Sequence, residues 1–221
     1  MVMKAANVLT SFRRKIVSTG AVNVMWAQYN EVKLGDYTSI SVAADASRTT
    51  PVGYQPLLLT PFTNWIFALD EKDLGVAQHW YNASWREVGN WSRVGTMDGW
   101  GSATALRAWE AAHPHEKYSG AGWFRYTFSG TALEQQKAPR TLALAVSAAC
   151  GSLTGWINGA PLRGAATPVT PEEPLLLEMP AGAVELVGPN ILALRFEDTG
   201  GACASSANGA GLRGRVFVVG K

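Results

Sequence analysis

Apolar residues in this chain gather in short clusters, without a sustained helical period. The runs at 57–59, 65–69, 123–128, 142–148, 154–157, 191–196 and 212–219 each have strand length, and Gly, Pro, Asn or Asp punctuates the gaps between them. Two earlier runs, 22–26 and 37–42, have the same character. Residues 3–17 instead space Ala6, Val8, Leu9, Phe12, Ile16 and Val17 as a short basic amphipathic helix would. The charged stretch 70–75 ends in glycine and reads as a turn, and Asn158-Gly159 after a β run is a strong hairpin signal. Between 80 and 117 tryptophans and glycines follow no period, which predicts a long loop region with short elements. Many strands with no helix-length pattern between them predict an all-β protein, an antiparallel β-sandwich over residues 61–221. Residues 1–60 then form an N-terminal arm with one or more added strands.

The segment Lys117 to Gly130 tests this reading. As a strand it places Phe124, Tyr126 and Phe128 on one face, and Trp123, Arg125 and Thr127 on the other. A face of three rings belongs in a core. Arg125 then lies beside Trp123, placed to stack on an aromatic ring or to pair with a carboxylate.

Composition narrows the function classes. The chain is 47% hydrophobic and 16% charged, which fits a soluble globular protein with a weakly charged surface. A net charge of +2 argues against a nucleic-acid partner, and Arg13-Arg14-Lys15 is too short a basic run to reverse that. No run is long enough to cross a bilayer, so no membrane partner is expected. Lys4, Asn7, Ser11, Arg13 and Arg14 interrupt any secretory apolar region, so a cytoplasmic location or a place in an assembled particle is expected. Cys150 and Cys203 are too few for a disulfide framework and are either paired or buried as thiols.

Several phrases recur in a familiar order. Trp65-Ile66-Phe67 precedes Asp70, Asp73, Gly75 and Trp80; then come Tyr118-Ser119-Gly120-Ala121-Gly122-Trp123-Phe124-Arg125 and Trp156-Ile157-Asn158-Gly159. Gly188-Pro189-Asn190-Ile191-Leu192-Ala193-Leu194-Arg195 closes the series, with Asp198 and Gly200-Gly201 after it. In this order the chain resembles the sugar-binding jelly-roll domain, of galactose-binding-like fold, of β-galactosidases and related family 2 glycoside hydrolases. The resemblance spans about residues 61–221 and implies a non-catalytic carbohydrate-binding module. In that family the catalytic carboxylates sit on a separate barrel, and a chain of 221 residues is too short to hold both. The fold so implied admits a structural calcium at a sandwich loop, with Asp70, Asp73 and Asp198 as candidate ligands; no other cofactor is expected.

The residues themselves offer little catalytic chemistry. A glycosidase needs two carboxylates set across a cleft, and Asp98, Glu110, Glu116, Glu172 and Glu173 single out no pair. His113, His115, Glu110 and Glu116 could be assembled into a metal site, but nothing distant completes it and a surface loop is the better reading. Sugar binding needs a flat apolar platform plus polar side chains for the hydroxyls. Trp65, Trp80, Trp123 and Trp156 belong to strand phrases and are assigned to packing, with Trp85 and Trp91 leaning the same way. Trp100, between Gly99 and Gly101, is the candidate for an exposed platform; Trp109 is the second, with Arg107 and Asp98 as polar partners. A competing expectation is a structural subunit of a larger assembly, such as a virion surface or decoration protein, joined as a homo-oligomer through the N-terminal arm.

Overall fold

The structure, a computed structural model, describes residues 53–60, 64–86, 91–96, 99–101, 103–134, 141–164, 175–198, 203 and 210–221. The expected helix over 3–17 and the runs at 22–26 and 37–42 lie outside these residues. So does Asp98.

Twelve strands and two helices make up the described fold. The strands are β1 (Gln55–Leu59), β2 (Trp65–Asp70), β3 (Ser92–Val94), β4 (Ala121–Ser129), β5 (Leu142–Val146), β6 (Ala149–Cys150), β7 (Ser152–Ile157), β8 (Ala160–Pro161), β9 (Leu175–Glu178), β10 (Pro189–Glu197), β11 (Gly211–Leu212) and β12 (Val216–Gly220). Helix α1 spans Thr104–Ala112 and helix α2 Thr131–Glu134. One sheet has the order β1-β12-β5-β9, the second β3-β2-β4-β10-β7-β8, and β11 pairs with β6 in a small third sheet. Every described pairing is antiparallel. The molecule is an all-β antiparallel sandwich, as its pattern predicts.

The core lies between the two larger sheets. Phe124 and Phe128 from β4, Leu192, Leu194 and Phe196 from β10, and Phe67 from β2 meet Leu144, Val146, Val216 and Val218 of the facing sheet. Phe124 packs on Phe67 at 4.9 Å and on Phe196 at 5.5 Å between ring centroids. Tyr126 joins the same face, stacked on Trp65. The three rings of the β4 face are therefore interior, as expected.

The other face of the six-stranded sheet is also covered. The segment after β2 folds back over it and lays Trp80, Tyr81 and Trp85 against Trp91, Trp123 and Trp156. Trp123 and Trp156 thus pack as the sequence suggests, but in this second layer and not between the sheets. Arg125, only 1% exposed, is held beneath this layer. Its guanidinium carbon lies 5.0 Å from the centre of Trp85 and 5.8 Å from that of Trp91, and its Nη2 donates to the Asn82 carbonyl at 3.2 Å.

Asp70 anchors the covering segment. Its carboxylate accepts hydrogen bonds from the backbone N–H groups of Leu74 (2.8 Å) and Gly75 (2.9 Å) and from the indole N–H of Trp123 (2.9 Å). Asp73 pairs with Arg195 at 2.7 Å. Of the three calcium candidates, Asp70 and Asp73 are therefore engaged by protein donors and Asp198 is buried, and the described residues contain no cluster of three or more metal-ligating side chains.

Local turn chemistry follows the sequence. Asn158 and Gly159 both take positive φ, 51° and 89°, as a two-residue hairpin between β7 and β8 requires. The buried Asn190 side chain accepts from the Glu185 N–H and donates to the Glu185 carbonyl, both at 2.8 Å, so the Gly188-x-Asn190 phrase serves the backbone. Two expectations need correction. The run at 212–219 is two strands, because Arg213–Arg215 leave the ladder between β11 and β12. The region 80–117 contains the nine-residue helix α1. Its Ala, Leu, Arg and Glu residues are strong helix formers, and Pro114 bars continuation beyond His113. Cys150 and Cys203, both buried, form a disulfide across a separation of 53 residues.

Candidate functional site

Helix α1 sets one wall of a concavity of about 500 Å³ at the β3 edge of the six-stranded sheet. Its helical period puts Leu106 into the core and turns Ala105, Ala108, Trp109 and Ala112 toward the hollow. The three alanines are what keep it open. Ser92 and Trp91 supply the opposite wall, and Glu71 enters from the turn after β2, with Thr104 and His113 completing the lining. Antiparallel pairing of β2 with β3, Phe67 opposite Ser92, carries Glu71 and Trp91 to the same end of the sheet.

Both indoles in this lining are half-buried and held from behind. Trp109 meets Tyr118 edge-on at 5.2 Å and stacks on the His113 ring at 4.2 Å and 20°. Trp91 rests on Trp80 and Trp85 at 5.6 and 5.3 Å, with Arg125 beneath it. The His113 Nδ1 lies 2.8 Å from the Trp109 carbonyl oxygen. A carbonyl only accepts, so Nδ1 carries the proton and Nε2 of the neutral ring is an acceptor. The concavity therefore presents two aromatic rings, a carboxylate, an imidazole nitrogen and the side chains of Ser92 and Thr104.

The sequence candidates separate here. Trp109 lines the concavity. Trp100 does not serve as an exposed platform: it is 1% exposed and packs against Phe67 and Tyr118. The flanking glycines do not free the ring, because Gly99 N–H bonds the Leu212 carbonyl at 2.7 Å and Trp100 N–H the Ala210 carbonyl at 2.9 Å, which dock the loop on β11. Arg107 lies on the exposed side of α1 and is not among the described lining residues. Tyr118, behind Trp109, is buried and donates to the Ala121 carbonyl at 2.7 Å. Burial, reinforced by the Asp70 and Glu71 carboxylates, holds its pKa well above the usual tyrosine value. Glu71, Ser92 and Thr104, which the sequence does not single out, line the concavity, as does Trp91, which the sequence assigns to packing. Apart from the aromatic ring of Trp91, nothing local marks them.

With fold and concavity defined, solved structures give a comparison. A β-glucuronidase from Ruminococcus gnavus in complex with D-glucuronic acid superposes with a TM-score of 0.55 at 13% identity, over 77% of this chain and 30% of that one. The fold recurs inside a glycoside hydrolase. A second β-glucuronidase structure from the same organism gives a TM-score of 0.51 at 15% identity over 75% of this chain and 28% of that one. A third, in complex with D-glucaro 1,5-lactone, gives 0.53 at 12% over 77% and 30%. This chain thus spans less than a third of the length of the β-glucuronidases it resembles, which matches one domain of them. No protein-family profile and no curated protein sequence matches the chain.

Proposed function

We propose that this chain is a non-catalytic carbohydrate-binding domain, and that a glycan lies across the concavity between α1 and β3. The observation that carries the reading is the pairing of Trp91 and Trp109 with Glu71, Ser92 and Thr104 around one open hollow. Indole faces accept the C–H face of a pyranose ring, while the carboxylate and the Ser92 and Thr104 side chains are suited to its hydroxyl groups. The fold shared with part of the β-glucuronidases supports the same class of ligand. A single site of this kind binds near the millimolar range, about 4 kcal/mol.

The test is a titration of the full chain with oligosaccharides, followed by tryptophan fluorescence and calorimetry. Ala108→Trp fills the hollow from an exposed helical position and leaves the packing behind Trp109 in place. It is expected to abolish binding, and Trp109→Ala to weaken it at least about ten-fold, the loss of about 1.4 kcal/mol of ring contact. Binding that survives Ala108→Trp unchanged places the ligand elsewhere and overturns the assignment.

A further inference from the structure

We propose that the concavity selects glycans bearing a free amino group and discriminates against uronates. The inference rests on the carbohydrate-binding reading and adds the charge of the ligand to it. Glu71 is the residue that brings a formal charge to the described lining at neutral pH, and it is exposed. Trp91 and Trp109 bring two indole rings to the lining, and an indole face met by a ligand favours a cation. His113 adds an acceptor nitrogen, since its Nδ1 proton is committed to the Trp109 carbonyl.

Among the neighbouring cations, Arg125 lies 5.8 Å from the Trp91 ring centre beneath the covering layer, so the selectivity rests on Glu71. Arg93, two residues on from Trp91 and exposed, is not among the described lining residues. Lys72 lines the adjacent hollow with Leu69, Leu74 and Trp80; Glu71 borders both hollows, while Lys72 is not among the described residues lining this one. Arg107 is on the outer side of α1. A glycosyl ammonium group therefore meets a carboxylate beside two indoles, whereas a uronate meets the carboxylate with no Lys or Arg among the described lining residues to offset it.

The experiment compares tetrasaccharides of glucosamine, glucose and glucuronic acid, titrated calorimetrically into the full chain and its Glu71→Gln and Ala108→Trp variants. Salt is held at about 20 mM so that an exposed charge is not screened out. The expected order is amine tighter than neutral by about five-fold, the size of an exposed ion pair, with the uronate weaker than neutral by a similar factor. Glu71→Gln should bring all three within about two-fold of one another, whatever affinity the neutral tetramer then has. A uronate that binds as tightly as the neutral sugar, or an amine preference that survives Glu71→Gln, overturns the selectivity. If the neutral tetramer binds and Ala108→Trp abolishes it while the charge series is flat, the selectivity alone falls. If no tetrasaccharide of any charge binds, carbohydrate binding itself falls, and the selectivity with it.

Discussion

Asp70 offers the sharpest test of how the outer face of the large sheet is covered. It is 4% exposed and accepts three hydrogen bonds, one at Oδ1 from Leu74 and two at Oδ2 from Gly75 and Trp123. In Asp70→Asn the amide oxygen can keep the two-donor site, but the NH2 group then faces the Leu74 N–H. One buried donor loses its acceptor, at about 1–3 kcal/mol, and the two surviving bonds drop from charge-assisted to neutral strength, about 1 kcal/mol each. The expected loss is about 3–5 kcal/mol, a large part of the 5–15 kcal/mol typical of a domain. Asp70→Ala removes all three acceptors and should cost about 4–6 kcal/mol. Urea unfolding followed by far-ultraviolet circular dichroism measures both, and native-state hydrogen exchange at the Gly75 amide localises the effect. An Asn variant within about 0.5 kcal/mol of wild type, or an Ala variant no worse than Asn, refutes the anchoring argument.

Three further outcomes are expected. A Cβ at Gly122 would lie 2.6 Å from Trp100 Cε3 and 2.7 Å from Phe67 Cε2, so Gly122→Ala should cost about 1–3 kcal/mol and lower the melting temperature by several degrees; an unchanged melting curve contradicts that packing. Replacing Cys150 and Cys203 by serine should cost about 4 kcal/mol, given the 53-residue separation that the bond closes, as read from paired denaturation curves. Tyr118, its pKa raised by burial and by the nearby Asp70 and Glu71 carboxylates, should stay protonated in the native state above the pH at which an unfolded tyrosine ionises. Its contribution to stability is then complete below the unfolded tyrosine value of about 10 and is lost as pH rises toward the native one. Alkaline melts of Tyr118→Phe, which cannot titrate there, should decline less steeply than those of wild type.

Strand clusters bounded by turn residues were legible because each is a local pattern, and β2, β4, β7 and β10 fall where their apolar alternation puts them. The covering layer over Arg125 was half legible. Alternation placed Trp123 and Arg125 on one face, but no periodicity announces that Trp80, Tyr81 and Trp85 fold back upon them. Helix α1 could have been found: 103–113 contains no Gly or Pro, and Ala105, Trp109 and Ala112 share a helical face. Trp100 misled because flanking glycines speak of chain freedom, whereas its burial is fixed by hydrogen bonds to residues 210 and 212. The concavity was legible only at Trp109. Glu71, Ser92 and Thr104 are brought together by the pairing of β2 with β3 and by the placement of α1, a long-range arrangement that no local spacing records.

Five of the nine tryptophans, at positions 80, 85, 91, 123 and 156, stand in ring contacts of 5.2–6.0 Å. At such spacing their electronic transitions couple, and excitation absorbed by one ring migrates through the group. The molecule thus carries an intrinsic optical gauge: strong near-ultraviolet dichroism while the 71–86 segment is seated, and collapse of that signal when it lifts, even with every strand still paired.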